Sequence, residues 1–179
     1  MSVSIVELHP HNPEWVSKFE REKTRILEAL GDKTLAIEHI GSTSIKGLAA
    51  KPIIDIMVGV DNLNQVAEWI PSLLDIKYEY VHKPEFIDRR FFRKGPWGQG
   101  ICHLHICEYD STEWQDKILF RDYLRLHPEA VSEYASLKEE LAHVHKLDRH
   151  AYTERKGPFI RRMIDFARFA GENKLTKGI

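Results

Sequence analysis

An α+β fold is what the sequence predicts, and three observations predict it. Runs with strand character, rich in β-branched residues and bounded by Gly, Pro, Asn or Asp, concentrate before residue 109. Apolar residues at helical spacing dominate the remainder of the chain. No internal repeat and no low-complexity segment competes with that division. Strands first and helices later imply a mixed sheet with a helical C-terminal region. The expected organisation is one unit over residues 1–179, with a sheet core at 1–109 and a helical part at 110–171. That length can enclose a full core.

Taken in order, residues 1–11 are an extended lead-in with an edge strand at Val3 to Val6. Asn12-Pro13 starts a helix, because Asn caps and Pro suits the first turn. Trp15, Phe19, Glu22/Lys23, Ile26 and Leu30 then repeat at helical spacing, with Trp15 and Phe19 read as core, and Gly31 stops the helix. Thr34 to Ile40 is a first strand and Ile53 to Val60 a second. Asp61-Asn62 caps a helix bearing Leu63, Val66, Ala67 and Ile70, and Pro71 should kink or restart it. Tyr78 to Val81 is a third strand. The basic, aromatic segment Lys83 to Lys94, the loop Gly95 to Gly100 and the strand Ile101 to Cys107 read as a hairpin. Asp110-Ser111-Thr112 caps the next helix, which His127-Pro128 breaks. A further helix comes next, with Val131, Tyr134, Leu137, Leu141 and Val144 on one stripe. The last helical region begins near Asp148, is interrupted at Gly157-Pro158 and frays after Gly171.

The composition excludes several classes of function. A formal net charge of −1 gives no global basic field for nucleic acid or an anionic membrane, and only the Lys83–Lys94 segment is basic. No stretch is long and apolar enough to span a bilayer, and no apolar signal core opens the chain. Cys102 and Cys107 are five residues apart in one strand and face opposite sides, which argues against a bridge and for reduced thiols in a cytoplasmic protein. A small-molecule partner is the expectation; the composition leaves the oligomeric state open.

The chemistry converges on Glu38 to Val60. Ile53 to Val60 is almost wholly apolar, as expected of a strand covered on both faces, and Asp55 stands alone inside it. A carboxylate there must be paired, hydrogen-bonded or bound to a metal. Upstream, Gly41-Ser42-Thr43-Ser44 offers close backbone approach, N–H groups and three hydroxyls, the chemistry of a phosphate cradle, although an ordinary turn has the same spacing.

Ile40-Gly41-Ser42 followed by Asp55-Ile56-Met57-Val58 resembles the fingerprint of the DNA-polymerase-β-like nucleotidyltransferases, with Met57 where a second carboxylate is expected. The longer phrase Glu38-His39-Ile40-Gly41-Ser42-Thr43 with Lys51-Pro52-Ile53-Ile54-Asp55-Ile56 is similar to the GrpB family. So are Phe91-Phe92-Arg93, His103-Leu104-His105, Phe120 to Arg125, and Tyr134 with Leu137-Lys138. The resemblance covers nearly the whole chain. It implies a nucleotidyltransferase-like fold in a family sometimes fused to dephospho-CoA kinase, and it suggests a phosphate-binding role for Lys156 and a ligand-binding one for Tyr152.

Nucleotidyl transfer needs a metal, carboxylates to hold it, and cations or N–H groups to absorb phosphate charge. Asp55 is the expected catalytic carboxylate and first metal ligand; Gly41, Ser42 and Ser44 are the expected phosphate contacts. The thioether of Met57 cannot replace an oxygen ligand for Mg²⁺. His103 and His105 share one strand face and can complete a His/His/carboxylate site with Asp55, with Glu38 supplying another oxygen; alternatively they contact phosphate or water. Such a site would take Mg²⁺ or Mn²⁺, or Zn²⁺ through its imidazoles. Arg93 is favoured over Arg90 as a phosphate clamp because it shares a face with Phe91; Lys51, just before Pro52, is placed to reach the loop, but a surface lysine is the preferred reading. Three functions are consistent with these residues: a metal-dependent nucleotidyltransferase acting on a nucleotide and a small acceptor, an inactive module of that fold that binds a nucleotide or CoA precursor, or a metal-dependent hydrolase using the same His/His/Asp cluster.

Overall fold

The structure, a computed structural model, describes residues 5–96 and 98–176, with side chains described through Gly171. Val3 and Ser4 of the expected edge strand, Trp97 of the hairpin loop and residues 177–179 of the tail lie outside the described residues.

The first helix, α1 (Glu14–Leu30), begins where Asn12 Oδ1 accepts the Glu14 N–H at 2.9 Å. Its buried residues are Trp15, Phe19, Glu22, Ile26 and Leu30, the stripe read from the spacing, with Glu22 rather than Lys23 turned inward. Five strands come after it: β1 (Ala36–Ile40), β2 (Ile54–Val60), β3 (Glu79–Val81), β4 (Arg89–Lys94) and β5 (Cys102–Glu108). They form one sheet in the order β1-β2-β5-β4-β3. The β2–β5 pair is parallel and the other three pairs are antiparallel, so the sheet is mixed. The described part of the expected N-terminal strand is not a strand; further along the lead-in, an isolated bridge joins His9 to Ala50.

Helix α2 (Val66–Asp75) continues through Pro71, so the helix does not restart there. Its buried face of Val66, Trp69 and Leu73 packs into the core and outweighs the N–H that proline removes at the helix's sixth residue. On the C-terminal side, Ser111 Oγ accepts the Trp114 N–H and opens α3 (Thr112–Leu126), and Pro128 opens α4 (Pro128–Val144). Asp148 then caps α5 (Arg149–Arg155), and α6 runs over Gly157–Thr176, past the point where fraying was expected. The buried residues of α4 are Ala130, Tyr134, Lys138 and Leu141; Val144, read as part of that stripe, is exposed.

Strand alternation divides the sheet's side chains between two layers. Ile54, Ile56 and Val58 of β2, with Leu104 and Ile106 of β5 and Phe92 of β4, face α1 and α2 in the main core. Each such side chain contributes about 1.5–3 kcal/mol by leaving water. Met57 and Cys107 face the other way and meet Ile40 and Trp114. Beyond them α3, α4 and α6 close on the loop after β1 through Ile45, Leu48, Leu124, Tyr134, Phe159 and Met163. Strand β2 is therefore covered on both faces, as its composition required. Cys102 and Cys107 are free, buried and in different layers.

The main core also encloses a polar group. Lys94 Nζ donates to both Glu22 carboxylate oxygens at 2.9 and 2.8 Å, and the Tyr78 hydroxyl donates to Glu22 Oε2 at 2.8 Å. Burial first, then the nearby Cys102 and Glu22, pushes the Tyr78 hydroxyl far above its ordinary range, so it remains a donor. Among the described residues no helix is long and apolar enough to cross a membrane.

Candidate functional site

The site forms where the second residues of two parallel strands meet. The β2–β5 register sets Asp55 opposite His103, and His103 Nδ1 lies 3.1 Å from Asp55 Oδ1. The antiparallel β1–β2 register sets Ile40 opposite Asp55, so the loop begins against the carboxylate. Gly41 has φ +70° and ψ −177°, a conformation open essentially to glycine alone, and a Cβ there would run into Asp55 Oδ2. The glycine is required twice, by backbone conformation and by close approach.

The rest of the loop is fixed by hydrogen bonds to its own backbone and from the helices. Ser44 Oγ donates to the Gly41 carbonyl at 2.7 Å, and Thr43 Oγ1 donates to the Ile53 carbonyl at 3.3 Å. Arg125 of α3 donates from Nε and Nη2 to the Ser44 carbonyl, and Lys138 of α4 donates to the Ala49 carbonyl. His39, stacked on Phe19 at 4.7 Å, pairs with Thr43 Oγ1 at 3.0 Å. Burial pushes the His39 imidazole down to about 4, so it is neutral near pH 7.

Above Asp55 lies a chamber of about 220 Å³ whose lining includes Ser42, Asp55, His103 and four cationic residues: Lys51, Lys138, Arg149 and Lys156. The lysines come from the loop, from α4 and from just after α5, yet all meet here. Burial, then the charges of its neighbours, lowers Lys138 to about 7 and Lys51 to about 8. Lys156 is lowered to about 8 by burial, partly offset by Asp55. Burial alone would raise the Asp55 carboxyl, but the His103 hydrogen bond and the charges of His103, His105 and Lys156 outweigh it, so its net shift is downward. Such a chamber has a deficit of negative charge that an anion would fill.

Two further cavities share lining residues with this chamber. One, of about 290 Å³, shares Ser42, Asp55 and Lys156 and extends over Gly41, His105 and Tyr134. The other, of about 490 Å³, shares His103, Arg149 and Thr153 and extends over the hairpin.

The family model for the GrpB protein matches residues 5–165. The chain belongs to the GrpB family. It is 34% identical over 164 residues to the glutamate-rich protein GrpB of Alkalihalophilus pseudofirmus, covering 89% of this chain and 94% of that protein. The crystal structure of the conserved protein GrpB from Enterococcus faecalis superimposes with a TM-score of 0.83 at 36% identity, over 90% of this chain and 96% of that one. A dephospho-CoA kinase of Mycolicibacterium paratuberculosis is 27% identical over 181 residues, covering 87% of this chain but 44% of that protein. The Cid1 poly(U) polymerase with MgGTP bound superimposes with a TM-score of 0.51 at 16% identity, over 75% of this chain and 44% of that one. That likeness shows a nucleotidyltransferase-like fold, as the GrpB motifs implied.

Within this GrpB chain the expected residues divide into groups. Gly41, Ser42, Asp55, His103, His105 and Lys156 border the chamber or the adjoining 290 Å³ cavity. Arg93 lines the outer cavity, with Nε on Glu79 at 3.3 Å and Nη2 on the Gly95 carbonyl at 3.0 Å. Ser44 turns its hydroxyl into the loop. Glu38 faces Arg121, whose Nη1 donates to Glu38 Oε2 at 2.5 Å and to the His39 carbonyl at 3.2 Å. His105 is pushed down to about 3 by burial and then by Arg89, Lys117 and His103, with Nδ1 buried and unpartnered among the described residues. Met57 is 0% exposed and sealed behind Ile40, Cys107 and Trp114. Among the described residues no three His, Cys, Asp or Glu side chains are grouped so that they could hold a metal ion.

Lys51, Lys138 and Arg149 were not picked out as site residues. Lys51 and Lys138 lie within the GrpB-like phrases, and the structure places Lys51 in the chamber wall, not on the surface as read. Lys138 carried a further signal, because it sits four residues after Tyr134 and three before Leu141 on an apolar stripe, where a lysine needs an acceptor. Arg149 had no comparable mark.

Proposed function

We propose that this chain binds a phosphate-bearing, nucleotide-like small molecule, with its phosphates in the chamber above Asp55. One observation carries the reading: Lys51, Lys138, Lys156 and Arg149 surround one chamber whose described lining has a single carboxylate, Asp55. Three of the four are lysines whose burial disfavours their charge, so an anion relieves an existing cost. Ser42 adds a hydroxyl at the same wall. The test is thermal unfolding with pyrophosphate. At about a hundred times its Kd it should add roughly 2.7 kcal/mol of stability, several degrees for a chain of this size. The gain should shrink in Lys156→Gln. No shift at millimolar pyrophosphate, or a full shift in Lys156→Gln, removes the chamber from consideration.

A second reading, nucleotidyl transfer to a small acceptor, is favoured by Asp55, held ionised beside His103 and against the loop glycine. Asp55 would accept the proton of the acceptor hydroxyl while the cationic chamber holds the phosphates. Glu38 is engaged by Arg121 and position 57 is an enclosed thioether, so Mg²⁺ or Mn²⁺ would need the nucleotide's phosphates and water to complete its shell. Asp55→Asn should keep pyrophosphate binding and lose turnover in any assay that detects transfer; unaltered turnover removes Asp55 from the chemistry.

A further inference from the structure

The largest of these three adjoining cavities has a different character from the phosphate chamber. It lies over β4 and β5 and is walled by Phe86, Phe91 and Val81, with Gly100 at its rim. The Phe86 and Phe91 rings stand 6.3 Å apart at 85°, so together they make a corner offering one aromatic face and one edge. Neither ring is loose. Phe91 is braced by His103 and by His105, each with ring centres 5.2 Å away. Phe86 is backed by the Arg89 guanidinium, 3.8 Å from its ring centre, and Arg89 is itself tied to Glu113.

This corner adjoins the cationic chamber, and His103, Arg149 and Thr153 line both. Lys83, Arg89 and Arg93 also line the corner, and each is paired with a carboxylate outside the lining: Lys83 with Glu85 at 3.8 Å, Arg89 with Glu113, and Arg93 with Glu79 at 3.3 Å. A ligand filling both volumes would be anionic at one end and planar, with little charge, at the other. Flat rings gain from an offset or edge-on aromatic partner held in place, because no ordering cost remains to be met on binding.

We propose that this corner receives the planar base of the ligand whose phosphates occupy the chamber above Asp55, which makes that ligand a nucleotide rather than a simple phosphate ester. The inference rests on the phosphate-binding reading. Stacking on protein aromatics accepts any base face, so purine and pyrimidine nucleotides are both bound.

Titration calorimetry with pyrophosphate, ADP and UDP separates the two readings. Both nucleoside diphosphates should bind at least about tenfold more tightly than pyrophosphate, the lower range for one stacked base. Phe86→Ala should abolish that advantage and leave pyrophosphate affinity within about twofold. Phe86→Leu, which keeps apolar bulk without a ring, should lose most of it and guards against a folding defect in the smaller variant. Equal affinity for pyrophosphate and both nucleotides overturns the base site while leaving the phosphate chamber standing. So does a nucleotide advantage that survives both variants, or a loss shared equally by pyrophosphate. Absence of binding by all three probes overturns both readings together.

Discussion

Binding of an oxyanion in the chamber above Asp55 is expected to draw protons from solution, by an amount that changes steeply with pH. Lys138 is lowered to about 7, and Lys51 and Lys156 to about 8, from an ordinary 10.5. At pH 8.5 all three are largely neutral in the ligand-free protein. An anion among them restores the charged forms, which requires uptake of up to about 2.5 protons; at pH 6.5, where most are already charged, the limit falls to about 0.3. Sulfate suits the measurement because its own charge is constant over this range. Calorimetric titration in two buffers of different ionisation enthalpy gives the proton number directly. Lys156→Gln should lower uptake at pH 8.5 by about three quarters of a proton. Uptake below about half a proton at pH 8.5, or equal uptake at both pH values, would refute the placement of three buried lysines around an anion site.

The same shifts set a sign for the ligand-free protein. In the unfolded chain these lysines titrate near their ordinary 10.5, so between about 8 and 10.5 the unfolded state binds more protons. Stability without anion should rise with pH between about 8 and 9, above which the buried Cys102 and Cys107 thiols, raised from their ordinary 9.0, act in the opposite direction; unfolding midpoints in a non-binding buffer check it. Glu22→Ala leaves the Lys94 ammonium, 7% exposed, without its carboxylate. It should cost about 3–5 kcal/mol, on the order of 10 °C in melting temperature, with Glu22→Leu/Lys94→Met recovering most of it; a loss under about 1 kcal/mol means that water reaches Lys94. Gly41→Ala should cost about 1–3 kcal/mol from backbone conformation alone and push Asp55 off His103; an unchanged urea midpoint refutes the close approach. Met57→Asp puts a carboxylate between Ile40, Cys107 and Trp114 and should destabilise by more than about 4 kcal/mol rather than add an acid to the cleft. An equally stable Met57→Asp variant would show that this side chain reaches the cavity.

Much of the fold was legible because periodicity reports which face of an element is buried. The α1 stripe was read correctly, with the choice between Glu22 and Lys23 left to the structure. The apolar run at Ile53 to Val60 announced a strand covered on both faces, found at Ile54–Val60, and Ser111 and Pro128 marked helix starts. Where periodicity conflicted with a local rule, packing decided: Pro71 sits inside α2 because Trp69 and Leu73 anchor that helix in the core.

The chain's own order of residues thus determined the elements, the family motifs, the lone Asp55 and the departure at Met57. Only the tertiary structure decided who meets whom. The pairing of Glu22 with Lys94 spans 72 residues, and that of Asp55 with His103 spans 48 and depends on a parallel register. Lys51, Lys138, Arg149 and Lys156 meet because the helical region folds back over the loop, with Arg125 and Lys138 holding its carbonyls. Sequence spacing encodes the inward face of a helix or strand, because that depends on neighbours a few residues away. The partner across the interior is set by register and crossover, for which local spacing has no mark.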